Sequence, residues 1–199
     1  MNRVEIKEKA KASLKGKYGD AIALLFIYLG ISFAGGFILG FLGLDDTSME
    51  LASNIVAIIL SALLEFGMLS YFLKVSRNEP VTYKELFSKT NLFWPYLGIA
   101  LLTSLFIILW SFLFIIPGII ASISYSLIYY IKLDNPELSA SEVISKSKEM
   151  MNGHKWDYFV LGLSFIGWSI LGIFTFGILY LWLFPYMQVT YANFYNSLK

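Results

Sequence analysis

The chain has 199 residues, of which 57% are hydrophobic, 18% aromatic and 15% charged, and its mean hydropathy is +0.66. Soluble domains carry about 25% charged residues, so the long uncharged runs exclude an ordinary water-soluble core. The net charge is +1 and there is no cysteine, which excludes disulfides, thiolate metal centres and cysteine nucleophiles.

Residues 1–19 hold six basic side chains (Arg3, Lys7, Lys9, Lys11, Lys15, Lys17) and two acidic ones, a balance that suits an anionic membrane surface better than nucleic acid. Ile6, Ala10, Leu14 and Tyr18 recur every fourth residue, which predicts a helix lying flat at the interface. The apolar run 21–44 follows. It is longer than the core of a signal peptide and lacks an A-x-A site, so it is expected to be an uncleaved first span. Residues 44–54 carry only acids, Asp45, Asp46 and Glu50. The second span is 55–73, interrupted by Glu65. Its loop contains Thr82-Tyr-Lys-Glu85, a capping-box pattern expected to start a short helix with Tyr83, Leu86 and Phe87 on one face. The third span is 92–116. Pro117-Gly118 then breaks the run and leaves a short fourth span, 119–131. In the next loop Ser139-Ala-Ser-Glu142 is a second capping box. It predicts a helix with Ala140, Val143, Ile144, Ser147, Met150 and Met151 on one face, ending near Gly153. Spans five and six are 158–176 and 178–194, parted at Gly177.

The expected fold is therefore all-α: a single polytopic membrane domain, a six-span bundle of three repeated hairpins with interfacial amphipathic helices. All fifteen Lys and Arg residues fall in the N-terminal segment, the two long loops and Lys199. Cytoplasmic loops accumulate Lys and Arg, so both termini are expected on the cytoplasmic side of a cell membrane. The hairpins repeat. Tyr71-Phe-Leu-Lys74 matches Tyr129-Tyr-Ile-Lys132, and Trp94-Pro-Tyr96 matches Trp156-Asp-Tyr158.

The second helix of each hairpin carries a polar or small stripe: Ser53, Ala57, Ser61 and Glu65; Ser122, Ser126 and Tyr129 beside Tyr125; Gln188, Tyr191 and Tyr195. Such faces pack inward and hydrogen-bond across helices, leaving the first helix of each hairpin outside. Gly36-Phe-Ile-Leu-Gly40 is a GxxxG match, with intrachain packing or a dimer contact as its two readings. Glu65 is the one ionisable acid or base well inside a span. An ionised acid there costs roughly 2.5–3.5 kcal/mol. An ion or substrate site at Glu65, Ser61, Tyr129 and Gln188 competes with a purely structural carboxyl on a packing face. Lys146, Lys148 and Lys155 are candidates for lipid headgroups, against a solvated cytoplasmic face. The single His154 cannot build a usual zinc site without cysteines. No G-x-S-x-G elbow or phosphate-binding glycine motif is present. No catalytic residue, metal or cofactor is expected.

The stretch Asn135-Pro-Glu-Leu-Ser-Ala140, then Ser147-Lys-Glu-Met-Met-Asn-Gly-His-Lys-Trp156, then Leu163-Ser-Phe-Ile-Gly-Trp168 closely resembles a family of bacterial integral membrane proteins, domain of unknown function 975. So do Ile116-Pro-Gly-Ile119, Pro185-Tyr186 and Ala192-x-Phe-Tyr195. Tyr18 departs from the Trp expected there. The resemblance brings no activity with it. A more distant similarity to the membrane domain of some glycerophosphodiester phosphodiesterases implies a lipid-facing accessory role, by analogy. The leading expectation is a non-enzymatic accessory or scaffold protein of the bacterial cytoplasmic membrane. Its expected partners are the lipid bilayer and another membrane protein or a second copy, with no nucleic acid. The alternative is a small transporter or channel built around Glu65; a third reading is a lipid-acting enzyme.

Overall fold

The computed structural model describes residues 2–41 and 47–199; the side chains of 35, 36, 38–41, 47–53, 58 and 113 are also outside that description. The GxxxG glycines Gly36 and Gly40, the stripe residue Ser53 and the acids Asp45, Asp46 and Glu50 therefore lie outside the described residues or side chains.

The fold is all-helical among the described residues. Helix α1 (Arg3–Leu14) starts at Asn2, whose carboxamide oxygen accepts from the Val4 and Glu5 amides at 3.2 and 3.4 Å. That cap satisfies amides that have no acceptor within the helix. Ile6, Ala10 and Leu14 are buried, so the four-residue period did mark the packed face. The chain turns at Gly16, which holds φ +80°, and α2 (Tyr18–Phe41) leaves at 84° to α1. Helix α3 (Thr47–Ser76) returns.

The capping box at Thr82 does not form. Thr82 makes no side-chain cap, and Tyr83–Phe87 is a 3-10 helix with Tyr83 and Phe87 exposed. Glu85 turns instead to α3. Its carboxylate accepts from Ser70 Oγ at 2.7 Å, Lys74 Nζ at 2.9 Å and Ser88 Oγ at 2.8 Å. Two tertiary donors on α3, Ser70 and Lys74, joined by the nearby Ser88, thus displace the local cap, and the loop folds back against its own helix. A Cβ on Gly67 would collide with the Leu86 backbone. Overpacked sites of this kind cost typically 1–3 kcal/mol. Gly67→Ala is expected to lower the melting temperature of the detergent-solubilised protein, while Gly19→Ala, where the added carbon meets nothing, serves as the tolerant control.

Helix α4 (Phe93–Leu113) ends at Phe114, which is extended, and α5 begins at Ile115. The break therefore precedes Pro117-Gly118 rather than falling on it. Pro117 sits in the first turn of α5, where a missing N–H costs nothing. Gly118 lets α5 approach Ser111 of α4 closely. Helices α5 (Ile115–Ser124) and α6 (Ile128–Asp134) together give the fourth run its full length. Helix α7 (Ala140–Met150) has the complete predicted capping box between Ser139 and Glu142, and it buries Val143, Ile144 and Ser147 with Met151 beyond its end. Those hydrogen bonds from Ser139 hold the Glu142 carboxyl below its usual range. The fifth run is α8 (Lys155–Leu163) and α9 (Ile166–Phe174), and the sixth is α10 (Tyr180–Ser197).

Among the described residues, four segments are long and apolar enough to cross a membrane: Asn54–Ser76, Tyr83–Phe112, Ile115–Asp134 and Lys155–Phe174. The bent α1–α2 pair makes five if it counts as one. Helix α10 is not among them, because Gln188, Asn193 and Asn196 make it too polar; its second half is packed inside, with Val189, Thr190, Ala192, Asn193, Phe194 and Tyr195 buried. The inside–outside division follows the stripes. Of the most apolar stretch in each segment, 41% is buried for Asn54–Ser76 and 50% for Ile115–Asp134, against 28% for Tyr83–Phe112 and 17% for Lys155–Phe174. The outer helices present Leu101, Leu105, Ile108, Ile166, Ile170 and Ile173 to their surroundings.

The C-terminal ends of α3, α6 and α10 meet at Asp134. Arg77 grips its carboxylate with two nitrogens at 2.8 and 2.6 Å, Lys199 Nζ lies at 2.6 Å and Tyr195 donates at 2.7 Å. Arg77 also donates to Asn196 at 3.1 Å, and Asn196 to Ser76 at 2.9 Å. The hydrogen-bonded carboxylate holds the Arg77 guanidinium above its ordinary value.

Candidate functional site

Glu65 lies on α3, eleven residues before the helix ends at Ser76, or about 16 Å along the axis. Its neighbours Leu64 and Phe66 are buried, while Glu65 itself is accessible. It faces a cavity of about 260 Å³ lined by Tyr28 of α2, Met68 and Leu69 of α3, Tyr96 of α4, Tyr129 of α6, and Phe184 and Gln188 of α10. Five helices therefore contribute to one opening of mixed apolar and polar lining. No hydrogen bond or ion pair engages the Glu65 carboxylate among the described residues. The tyrosines form a stacked wall. The Tyr96 and Tyr129 rings are 4.7 Å apart, tilted by 37°, and Phe66 backs Tyr96 at 4.4 Å.

The structure thus brings Glu65, Tyr129 and Gln188 together. Ser61, one turn away, is half-buried and does not line the cavity. Sequence reasoning missed Tyr28 and Tyr96. Tyr28 had no signal within a uniformly apolar run. Tyr96 did have one, since it stands two residues after Trp94 just as Tyr158 stands two after Trp156. The pairing also recurs in space: Tyr158 meets Tyr191 of α10 at 5.2 Å and 35°, nearly the geometry of Tyr96 on Tyr129. Phe194 packs edge-on against Tyr158 at 5.2 Å, whereas Tyr96 shares its cavity with Glu65.

Chemically, a carboxylate beside electron-rich rings attracts a cation twice, by charge and by the ring faces. Among the described residues, Glu65 is the one acid on the cavity wall and no basic side chain shares that wall. Positive charge brought in by a ligand would therefore meet no competing protein cation there.

The three candidate headgroup lysines divide. Lys148 and Lys155 line a second cavity, about 320 Å³, against α4 and α5. Lys146 is exposed elsewhere on α7 and donates to Asn135 at 3.4 Å. His154 lies 3.9 Å from Asp157 at the start of α8.

No curated protein matches the chain, and no solved structure does. A family model, described as protein of unknown function (DUF975), matches residues 1–121 and 113–199, which together cover every residue. The chain belongs to that family.

Proposed function

We propose that this protein binds a small organic cation at Glu65, as the solute site of a transporter or channel in a cell membrane. The observation that carries the proposal is an accessible carboxylate with no partner among the described residues, set in a cavity walled by tyrosines and a glutamine. An unpaired acid inside an apolar bundle is costly, and a bound cation removes that cost. A scaffold with no ligand has no use for the opening, so the cavity favours solute binding over the accessory role that the bare sequence suggested. Binding rather than chemistry is proposed, because a single carboxyl with tyrosine neighbours supplies no complementary acid and base for a hydrolytic step.

In this reading the chain crosses the bilayer six times, as three hairpins with interfacial helices between them. Both termini lie on the cytoplasmic side, where Lys and Arg collect. Helix α10 is the central crossing, shielded from lipid by the others, which explains why its composition is the least apolar.

The test is calorimetric titration of the purified protein with choline and with its uncharged tert-butyl analogue. Choline is expected to bind and the neutral analogue to bind at least about tenfold more weakly, since a charge-assisted contact is lost. Equal binding of the two, or no binding of either, would sink the proposal.

A further inference from the structure

We infer that the cavity at Lys148 and Lys155 is a site for one anionic glycerophospholipid, its acyl chain against α4 and α5 and its phosphate between the two ammonium groups. The cavity has two chemically distinct parts. Trp110, Pro117 and Ile120 form an apolar wall, and Tyr125, Lys148 and Lys155 form a polar rim. The apolar wall continues into outward-facing residues, with Phe112, Ile115, Ile116 and Ile119 all exposed. A surface of that composition is met by lipid chains rather than by water.

The rim is cationic and uncompensated. Neither Lys148 nor Lys155 makes an ion pair with a carboxylate among the described residues. Lys148 is held over the Tyr125 ring at 5.5 Å, which aims its stem along the cavity. The position of the rim is held by the fold beneath it, where Ser147 Oγ donates to the Ser124 carbonyl at 2.8 Å and docks α7 on the end of α5. A lipid phosphate sits where apolar surface meets cationic side chains, as it does at this rim. Charge complementarity therefore selects an anionic lipid over a zwitterionic one, and the apolar wall selects a lipid over a free anion.

The experiment uses the full chain, purified in mild detergent and delipidated. It is incubated with equal amounts of phosphatidylglycerol and phosphatidylcholine of matched acyl chains, and retained lipid is counted by native mass spectrometry. The wild type is expected to favour phosphatidylglycerol by roughly fivefold for each lysine engaged. Lys148→Gln with Lys155→Gln should abolish the preference. Lys146→Gln, outside the cavity, should keep it, and so should Glu65→Gln, which separates this site from the cation site. Ile120→Trp should reduce retention of both lipids by filling the apolar wall. Lys148 is exposed and neither lysine supports a carboxylate, so the double variant should fold, and an unchanged helical circular dichroism spectrum checks this. Equal retention of both lipids by the wild type, a preference surviving in the double variant, or displacement of the lipid by inorganic phosphate each overturns the inference.

Discussion

Asp134→Ala is expected to destabilise the folded protein by about 3–5 kcal/mol, the cost of removing one partner from a largely buried ion pair. The Asp134 side chain is 12% exposed and that of Arg77 25%. The carboxylate receives Arg77, Lys199 and Tyr195 at once. Its loss leaves two cations facing each other at the junction of α3, α6 and α10. Arg77→Ala should cost less, because Lys199 and Tyr195 still serve the acid. Asp134→Asn should fall between, since the amide accepts hydrogen bonds without neutralising the charges. Replacing both Arg77 and Asp134 by apolar residues of similar volume should recover much of the loss, as it does for buried pairs elsewhere. Thermal melts of the solubilised protein measure the series, with a shift on the order of 10 °C for Asp134→Ala. A melt within a degree or two of the wild type would show that the junction is not holding the three helices together.

Glu65→Gln should weaken cation binding by roughly ten- to a hundredfold, the range set by a charge-assisted contact worth about 1.5–3 kcal/mol. The amide keeps the shape of the cavity wall and removes its charge. Stability should hardly change, because no donor among the described residues is bonded to the carboxylate. For the same reason Glu65→Leu is expected to fold at least as well as the wild type. Under the structural reading the opposite is expected, since a carboxyl hydrogen-bonded on a packing face would leave partners unsatisfied when removed. Two substitutions therefore separate two roles. Loss of choline binding with an unchanged melt fits a ligand site. A lowered melt for Glu65→Leu with intact binding would falsify the solute-site reading and mark Glu65 as a structural residue. Tyr129→Phe keeps a ring face and removes a hydroxyl, so it should retain most of the affinity if the ring itself attracts the cation.

Local and periodic features were legible in the chain. The buried faces of α1 and α7 were readable because a four-residue recurrence and a capping box depend on neighbours within one turn of helix. The buried second helices of the first two hairpins were readable because polar and small residues have no favourable alternative in an apolar bundle. Glu65, Tyr129 and Gln188 could be named as a set because each was an exception within an apolar run. Their sharing one cavity depended on how five helices cross, and that was not readable.

What sequence by itself determined is the all-helical class, the family and the positions of most apolar runs, since these follow from composition and period. Tertiary structure decided everything that required a partner distant in the chain. Glu85 abandoned its local cap for Ser70 and Lys74 because charge-assisted bonds outweigh a single backbone amide. The break after α4 fell at Phe114 rather than at Pro117-Gly118, because the first turn of a helix tolerates proline and the α4–α5 contact needs glycine. Asp134, unremarkable in a loop-flanking run, became the meeting point of three helices. Tyr96 became the wall of a cavity beside Glu65, while its counterpart Tyr158 packs against Tyr191 and Phe194. In each case the residue type allowed two outcomes, and the energy of contacts made across the fold chose between them.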